Sequence, residues 1–238
     1  MLELPDVTLV CIYTIAHELS LLAVDDCLKL AHFGDVKLFS DQAARGHDVV
    51  PIKLNPTTPE LAEVSVYQLP KYIKTSHVLF IHWDSWILDP SLWQDKFLRY
   101  DYIGAPWWYT DGYNVGNSGF TIRSRAILDF MATHREQFPF VMPEDHTLCR
   151  VYRSRLPQFT WAPEDLAWQF AFERTRRYER TFGFHGIFNW HLVLDGDRLA
   201  ERVRLARANP YVQSRVEYSE LITNLYKSRE GVAHARQR

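Results

Sequence analysis

The chain has 238 residues, 47% of them hydrophobic, enough for one compact α/β domain with a sizeable core and a small helical appendage, but not for a second full domain. A formal net charge of -2 with 24% charged residues excludes the strong global field that nucleic acid would meet, so an anionic ligand must be met locally. Three widely spaced cysteines, Cys11, Cys27 and Cys149, read as free thiols of a reducing compartment. No uncharged apolar run approaches the roughly 18 residues of a membrane span, so a soluble, cytoplasmic protein is expected.

Val7 to Thr14 is a continuous apolar run that predicts a strand; the apolar stretch ends at Ala16, with His17 and Glu18 following at once, so it does not read as a signal peptide. From Leu19 to Ala31 apolar residues recur at helical spacing, with Asp25, Asp26 and Lys29 on the other face. Val36 to Phe39 predicts a second strand running into Ser40 and Asp41, and Asp48 to Leu54 a third. Thr57 to Lys74 reads as a helix that Pro70 kinks or ends, and His77 to Trp83 as the fourth strand. Four short strands alternating with helices predict a largely parallel sheet, whose ligands bind beyond the carboxyl ends of the strands, where Asp41 and Asp84 fall. Beyond that point Asp101 to Tyr113 reads as a loop, and Gly119 to Ile122 as a short strand entering a helix over Arg125 to His134. An insert over Phe138 to Pro163 precedes a helix over Glu164 to Arg177, and Phe182 to Trp190 leads into a charged helical tail. The domain expectation is one domain over residues 1–195 and a helical extension over 196–238, its basic end carrying Arg229, Arg236 and Arg238.

Alternation puts His82 and Asp84 on the same side at the end of the fourth strand. An imidazole and a carboxylate there suit a divalent cation holding a diphosphate; equally, Asp84 can cap the following turn with Ser85. Pro143-Glu144-Asp145 follows immediately on the apolar Phe140-Val141-Met142. A carboxylate beside apolar surface gains basicity, as removal of a hydroxyl proton requires, while paired carboxylates also start helices. Glu164-Asp165 after Pro163 fits only a helix start and reads as structural. His185, set among Gly183, Phe184 and Gly186, is by type a metal ligand or phosphate donor and, as one of ten histidines, equally a structural residue. Trp107 and Trp108 offer stacking surface to a sugar, and Asn117 beside Gly116 and Gly119 suits either a backbone wrapped around hydroxyls or a tight turn. Neither glycine-rich phosphate-binding signature follows the first strand.

Taken in order, HWDSW (His82–Trp86), YDYIGAPW (Tyr100–Trp107), VGNSGFTIRSR (Val115–Arg125), PEDHTLCR (Pro143–Arg150) and FGFHG (Phe182–Gly186) resemble a mainly bacterial family of unknown function assigned to the GT-A glycosyltransferase superfamily. The resemblance runs from about Val7 to Trp190 and implies a GT-A-type, Rossmann-like α/β fold with a mixed, mostly parallel central sheet flanked by helices. It implies transfer of a sugar from a nucleoside-diphosphate sugar, a UDP-sugar being favoured, to a hydroxyl of a saccharide or glycan acceptor in polysaccharide biosynthesis, with Mn2+ or Mg2+ as cofactor.

On this pattern Asp84 matches the metal-binding aspartate of the D-x-D signature, and His82 stands in place of the signature's first carboxylate. His185 resembles the histidine that completes the metal site. Glu144-Asp145 resembles the x-E-D motif of inverting members, with Asp145 as catalytic base and Glu144 as its partner toward the acceptor. Thr14 and Asp41, with Asp84, lie where such folds seat the nucleotide, and Trp107, Trp108, Asn117 and Gly119 are the expected acceptor contacts. The basic tail reads first as a solvated, frayed end; the alternative reading is contact with an anionic membrane carrying a lipid-linked acceptor, which would put the protein at the inner face of the membrane. Two other classes compete. A sugar-nucleotide nucleotidyltransferase would want a glycine and a base after the first strand, and Thr14-Ile15-Ala16-His17-Glu18 has neither glycine nor Lys or Arg. A non-catalytic carbohydrate-binding protein would explain the aromatic stretch from Trp83 to Tyr113 without the carboxylates.

Overall fold

Val7 to Tyr13 are all buried, with no alternation of covered and exposed positions, as befits a strand packed on both faces. A computed structural model describes residues 1–44, 46–53, 63–141 and 143–235, the side chains of 229–235 excepted. Leu54 of the expected third strand, residues 57–62 of the expected helix, and Arg236, Arg238 and the Arg229 side chain of the basic tail lie outside the described residues. The described chain divides into two compact units, Met1–His185 and Gly186–Arg238.

In chain order the first unit contains β1 (Leu2–Tyr13), α1 (His17–Leu28), β2 (Ala31–Ser40), β3 (Val49–Pro51), β4 (His77–Ile81), β5 (Tyr102–Ile103), β6 (Phe120–Ser124), α2 (Arg125–Thr133), α3 (Glu164–Phe170), β7 (Ala171–Phe172) and β8 (Gly183–Phe184). Six strands form one sheet in the order β3-β2-β1-β4-β6-β5. β1 to β4 run parallel, and β6 is antiparallel to both β4 and β5, so the sheet is mixed and mostly parallel. β7 and β8 make a separate parallel pair.

Strand alternation turns Val10, Ile12, Val78 and Phe80 onto one face, where they share a core with Ile127, Leu128 and Met131 of α2 and with Val64, Val66 and Tyr67. A one-residue slip of β4 would turn Val78 and Phe80 away from this core at a cost on the order of several kcal/mol, so the register is firmly held. That register decides where the chemistry-bearing residues go. Tyr13 lies opposite Ser40, and Cys11 opposite Ile81, so Thr14, Asp41 and Asp84 all leave the sheet at one edge, just beyond the carboxyl ends of their strands. Because β6 is antiparallel to β4, with Phe120 opposite Ile81, the segment that enters β6 starts at the same edge.

Three elements differ from the sequence expectation. Of the helix expected over Thr57 to Lys74, the described part is a π-helical turn at Val64–Gln68 followed by a 3-10 turn at Leu69–Lys71, where Pro70, lacking an N–H, sits in the first turn. A short strand, β5, lies inside the expected loop. The helix expected to reach Arg177 ends at Phe170, because Ala171 and Phe172 pair instead with Gly183 and Phe184.

The second unit is helical: a turn at Trp190–Val193, then α4 (Gly196–Ala208), α5 (Pro210–Ser214) and α6 (Val216–Ala235). Asn209 caps α5, accepting from the Val212 N–H at 3.1 Å, and Asn224 of α6 donates to the Phe188 carbonyl at 3.1 Å. No described helix is long and apolar enough to cross a membrane. All three cysteines are free and buried.

Candidate functional site

β4 gives way to a turn just where its ladder with β6 runs out. The His82 N–H donates to the Gly119 carbonyl at 2.9 Å and to Ser85 Oγ at 3.0 Å, and Ser85 Oγ donates to the Gly119 carbonyl. Ser85 therefore ties the turn, and Asp84, 7% exposed, lies with its Oδ1 3.4 Å from His185 Nε2. One donor atom from each of His82, Asp84 and His185 lies within 4.8 Å of the others, a grouping that can hold a metal ion. The two imidazoles meet edge to face, 5.5 Å between centroids.

His185 reaches this point through the small β7-β8 ladder, which its own N–H extends by donating to the Phe172 carbonyl at 2.9 Å. The residue after Phe172 is Glu173, and its Oε1 lies 3.1 Å from His185 Nδ1, with Asn117 Nδ2 3.0 Å from the same nitrogen. The ladder that cuts the expected helix short is thus what sets Glu173 beside His185. Sequence reasoning missed Glu173, which carries no motif and sits inside a segment that reads as helix.

Asn117 adopts a left-handed backbone, φ 69°, and its Oδ1 accepts from the N–H groups of Gly119 and Phe120 at 2.9 and 3.3 Å. Gly119 faces the His185 ring so closely that a Cβ would fall 2.1 Å from Nε2, so the position requires glycine. Gly119→Ala is expected to push the ring away from Asp84. Imidazole NMR titration would read this as a fall in the His185 pKa toward ordinary histidine values, and an unchanged titration would contradict the packing.

The charges act on one another across short distances. Burial by itself would lower the His185 pKa, but the Asp84 and Glu173 carboxylates override it and raise it to about 10. His82 goes the other way, to about 4, through burial and the neighbouring His185 cation, opposed by Glu144 and Asp84, and it stays neutral at pH 7. Glu144 and Asp145 come in on a helical turn, Glu144–His146, clamped by Thr147 Oγ1, which accepts from the Val141 N–H at 3.1 Å and donates to the Val141 carbonyl at 2.6 Å. Burial would raise Glu144, but His82, a hydrogen bond from the Ser118 side chain and Arg123 hold it below the usual range. Asp145 is pushed up to about 7 by burial and the Glu144 and Glu173 carboxylates, although the His146 N–H and Arg123 act against this.

Arg123, the next-to-last residue of β6, is 0% exposed. Its guanidinium lies 4.8 Å from the Phe80 ring centroid, donates from Nη1 to the Ser65 carbonyl and from Nε to Thr121 Oγ1, each at 3.2 Å, and leaves Nη2 with no hydrogen-bond partner among the described residues. It is a buried cation set to favour ionised carboxylates at 144 and 145. Nothing in the strand pattern marks it, because an apolar core position and a buried arginine occupy the same place in the alternation.

The remaining expected residues divide. Asp41 is held by His17, Oδ1 to Nε2 2.8 Å, and Thr14 Oγ1 is buried without a hydrogen-bond partner among the described residues. Both stand at the same sheet edge as the His82–Asp84–His185 cluster, but neither is one of its donor residues. Trp107 and Trp108 part company: Trp107 is 7% exposed and packs on His146 at 5.3 Å between ring centroids, while Trp108 is 62% exposed. Beneath Trp107 only glycine fits at 116, since a Cβ there would lie 2.1 Å from the indole.

The architecture is that of GT-A-type glycosyltransferases. It is similar to the crystal structure of a glycosyltransferase involved in the glycosylation of the major capsid of PBCV-1, at 12% identity and TM-score 0.51, over 75% of this chain and 92% of that one. Galactosyltransferase LgtC in complex with donor and acceptor sugar analogues gives 14% identity and TM-score 0.49 over 85% of this chain and 96% of that one. Apo GlyE of Streptococcus pneumoniae TIGR4 gives 13% and 0.48 over 93% and 63%. At 12% identity the first of these likenesses shows the fold alone. No curated protein matches the chain. The family described as "Protein of unknown function (DUF5672)" matches residues 62–185, over half of the chain and the whole stretch from His82 through Glu144, Asp145 and Glu173 to His185, and the protein belongs to that family.

Proposed function

We propose that the protein is a metal-dependent glycosyltransferase that moves a sugar from a nucleoside-diphosphate sugar to a saccharide hydroxyl with inversion at the anomeric carbon. The observation that carries this is the convergence of His82, Asp84 and His185 at the ligand edge of a GT-A-type sheet, with Glu144 acting on His82 and Asp145 set beside Glu144 and Glu173. The donor set fits a divalent ion: two imidazoles and one carboxylate, close together, in a field negative enough to raise the His185 pKa to about 10. Imidazole nitrogen favours Mn2+ over Mg2+, which prefers an all-oxygen shell. His82, Asp84 and His185 would hold the ion, and Glu173 on Nδ1 would orient the His185 ring toward it, as carboxylates commonly do behind metal-bound histidines. When bound, the ion supplies positive charge for the diphosphate oxygens of the donor.

The rest is the work of the chain. Asp145 takes the proton of the acceptor hydroxyl on a carboxylate oxygen; that oxygen of the acceptor bonds to the anomeric carbon as the bond from carbon to the diphosphate breaks, releasing nucleoside diphosphate. A carboxylate with a pKa near 7 is well matched to this task. Glu144, kept ionised beside His82, stays an acceptor of hydrogen bonds from the saccharide. Thr14 and Asp41 offer a hydroxyl and a carboxylate to the nucleotide base and ribose, with UDP the favoured nucleotide. Free, buried cysteines fit a cytoplasmic setting.

A thermal-shift screen of sugar nucleotides, each with and without Mn2+, tests this function. A true donor at a hundredfold excess over its Kd stabilises the folded state by about 2.7 kcal/mol. The expected result is a melting shift with one nucleotide class that vanishes on chelation, and no shift across the panel would refute the proposal.

A further inference from the structure

Next to the carboxylate turn lies a cleft of about 440 Å3, walled by Trp107, Trp108, Tyr109 and Trp168, with Asn114 and Glu164 at its polar edge. The size falls within the usual range for small-molecule sites. Its walls are built rather than incidental. The Trp107 N–H donates to the Asn114 carbonyl at 2.6 Å, Pro106 pairs with Val115, and Arg150 holds the loop from behind, forked onto the Asp111 carboxylate at 2.7 and 2.8 Å and stacked 3.8 Å from the Tyr109 ring centroid. On α3, Glu164 Oε1 accepts from Trp168 Nε1 at 3.0 Å, which sets both the indole and the carboxylate. Against this fixed frame Trp108, 62% exposed, presents a large ring to solvent at the mouth of the cleft.

We infer that this cleft is a saccharide subsite selective for neutral sugars, with Trp108, Tyr109 and Trp168 as stacking surfaces and Glu164 and Asn114 as hydroxyl partners. Indole and phenol rings match the C–H faces of a pyranose, and a carboxylate and an amide match its hydroxyls. Charge decides the class. Among the described residues the lining contains one carboxylate and no Lys, Arg or His, so a uronate, sialate or phosphorylated sugar would bring a second negative charge that no described lining residue meets. Glu164 therefore has a ligand-facing place that its position at a helix start conceals. Trp107 belongs both to this wall and to the packing on His146, the neighbour of Asp145, so a sugar in the cleft borders the carboxylate turn. As the acceptor site of a transferase the cleft rests on the function proposed above; as a saccharide site it stands by itself.

The test is a glycan array probed with the full chain, followed by fluorescence titration of the best neutral oligosaccharide against wild type, Trp108→Ala and Glu164→Gln. Neutral glycans are expected to bind in preference to acidic ones. Trp108→Ala, whose melting curve should match wild type because the ring is exposed, is expected to weaken binding at least about tenfold. Glu164→Gln is expected to narrow the preference for neutral over acidic glycans. Binding of acidic glycans only, no glycan binding, or an unchanged affinity in a folded Trp108→Ala variant would each overturn the inference. The panel of sugar nucleotides with Mn2+ on wild type separates the two claims: glycan binding without binding of any nucleotide leaves the cleft standing and removes the transferase, and the reverse outcome removes the cleft alone.

Discussion

Asp84→Asn is expected to abolish the Mn2+-dependent binding of a nucleoside diphosphate, with an affinity loss of more than about a hundredfold and the fold intact. The asparagine keeps the volume of a side chain that is 7% exposed, so no cavity opens, but it removes the only carboxylate in the three-residue donor group. Changes to residues that merely orient metal ligands already cost about 10- to 100-fold, so loss of a ligand should cost more. Asp84 is also one of the two carboxylates that sustain the positive charge on His185, and its neutralisation weakens the field for any cation there. Calorimetry with UDP, with and without Mn2+, on wild type and variant reads the effect directly. Unchanged affinity in a variant with a native melting curve would sink the metal site.

Asp145→Asn should behave differently: turnover falls by about 100- to 10,000-fold while nucleotide affinity holds, as expected for loss of a general base. The pH dependence supplies an independent check. Asp145 must be ionised to accept a proton, and its pKa is raised to about 7, so wild-type kcat/KM should climb tenfold per pH unit below 7 and level off above it. Glu144→Gln removes a negative neighbour that helps raise Asp145, and the rising limb should move to lower pH. A profile without a limb near 7, or an Asp145→Asn variant with full turnover, would exclude Asp145 as the base. A saccharide-binding protein without catalysis would keep its glycan affinity in Asp145→Asn and would have no turnover in wild type. The same raised pKa has a thermodynamic counterpart. Between the ordinary aspartate pKa of 3.8 and about 7 the folded protein holds a proton on Asp145 that the unfolded chain gives up, so this group's contribution to stability is lost as pH rises through that window.

The strand pattern was legible because it rests on local chemistry. Apolar runs at Val7–Tyr13 and His77–Ile81, each closed by polar residues, are enough to predict parallel strands, and a parallel sheet presents its ligands at the carboxyl edge. That alone places Asp41 and Asp84 beyond the carboxyl ends of their strands, as the register does. It does not decide whether Asp84 caps a turn or faces a ligand. The structure gives the turn to Ser85 and turns Asp84 toward His185, about a hundred residues later in the chain.

Three features were out of reach of the sequence for one physical reason: each depends on a partner far along the chain. Phe170-Ala171-Phe172 has the composition of a helix end, and only pairing with Gly183 and Phe184 makes it a strand, which delivers Glu173 to His185. Arg123 occupies an alternating strand position like any core residue, and only the rings of Phe80 and Tyr102 and the carboxylates at 144 and 145 give it a role. Trp107 and Trp108 are adjacent and chemically the same, yet one is buried over Gly116 and the other stands in solvent at the mouth of a cleft. Sequence by itself determined the periodicities, and through them the sheet and the edge at which His82, Asp84 and His185 gather, because hydrophobic burial acts residue by residue along a strand. Tertiary structure decided which of the polar residues meet, because ion pairs, pKa shifts and clefts are properties of distances between segments that the chain order does not contain.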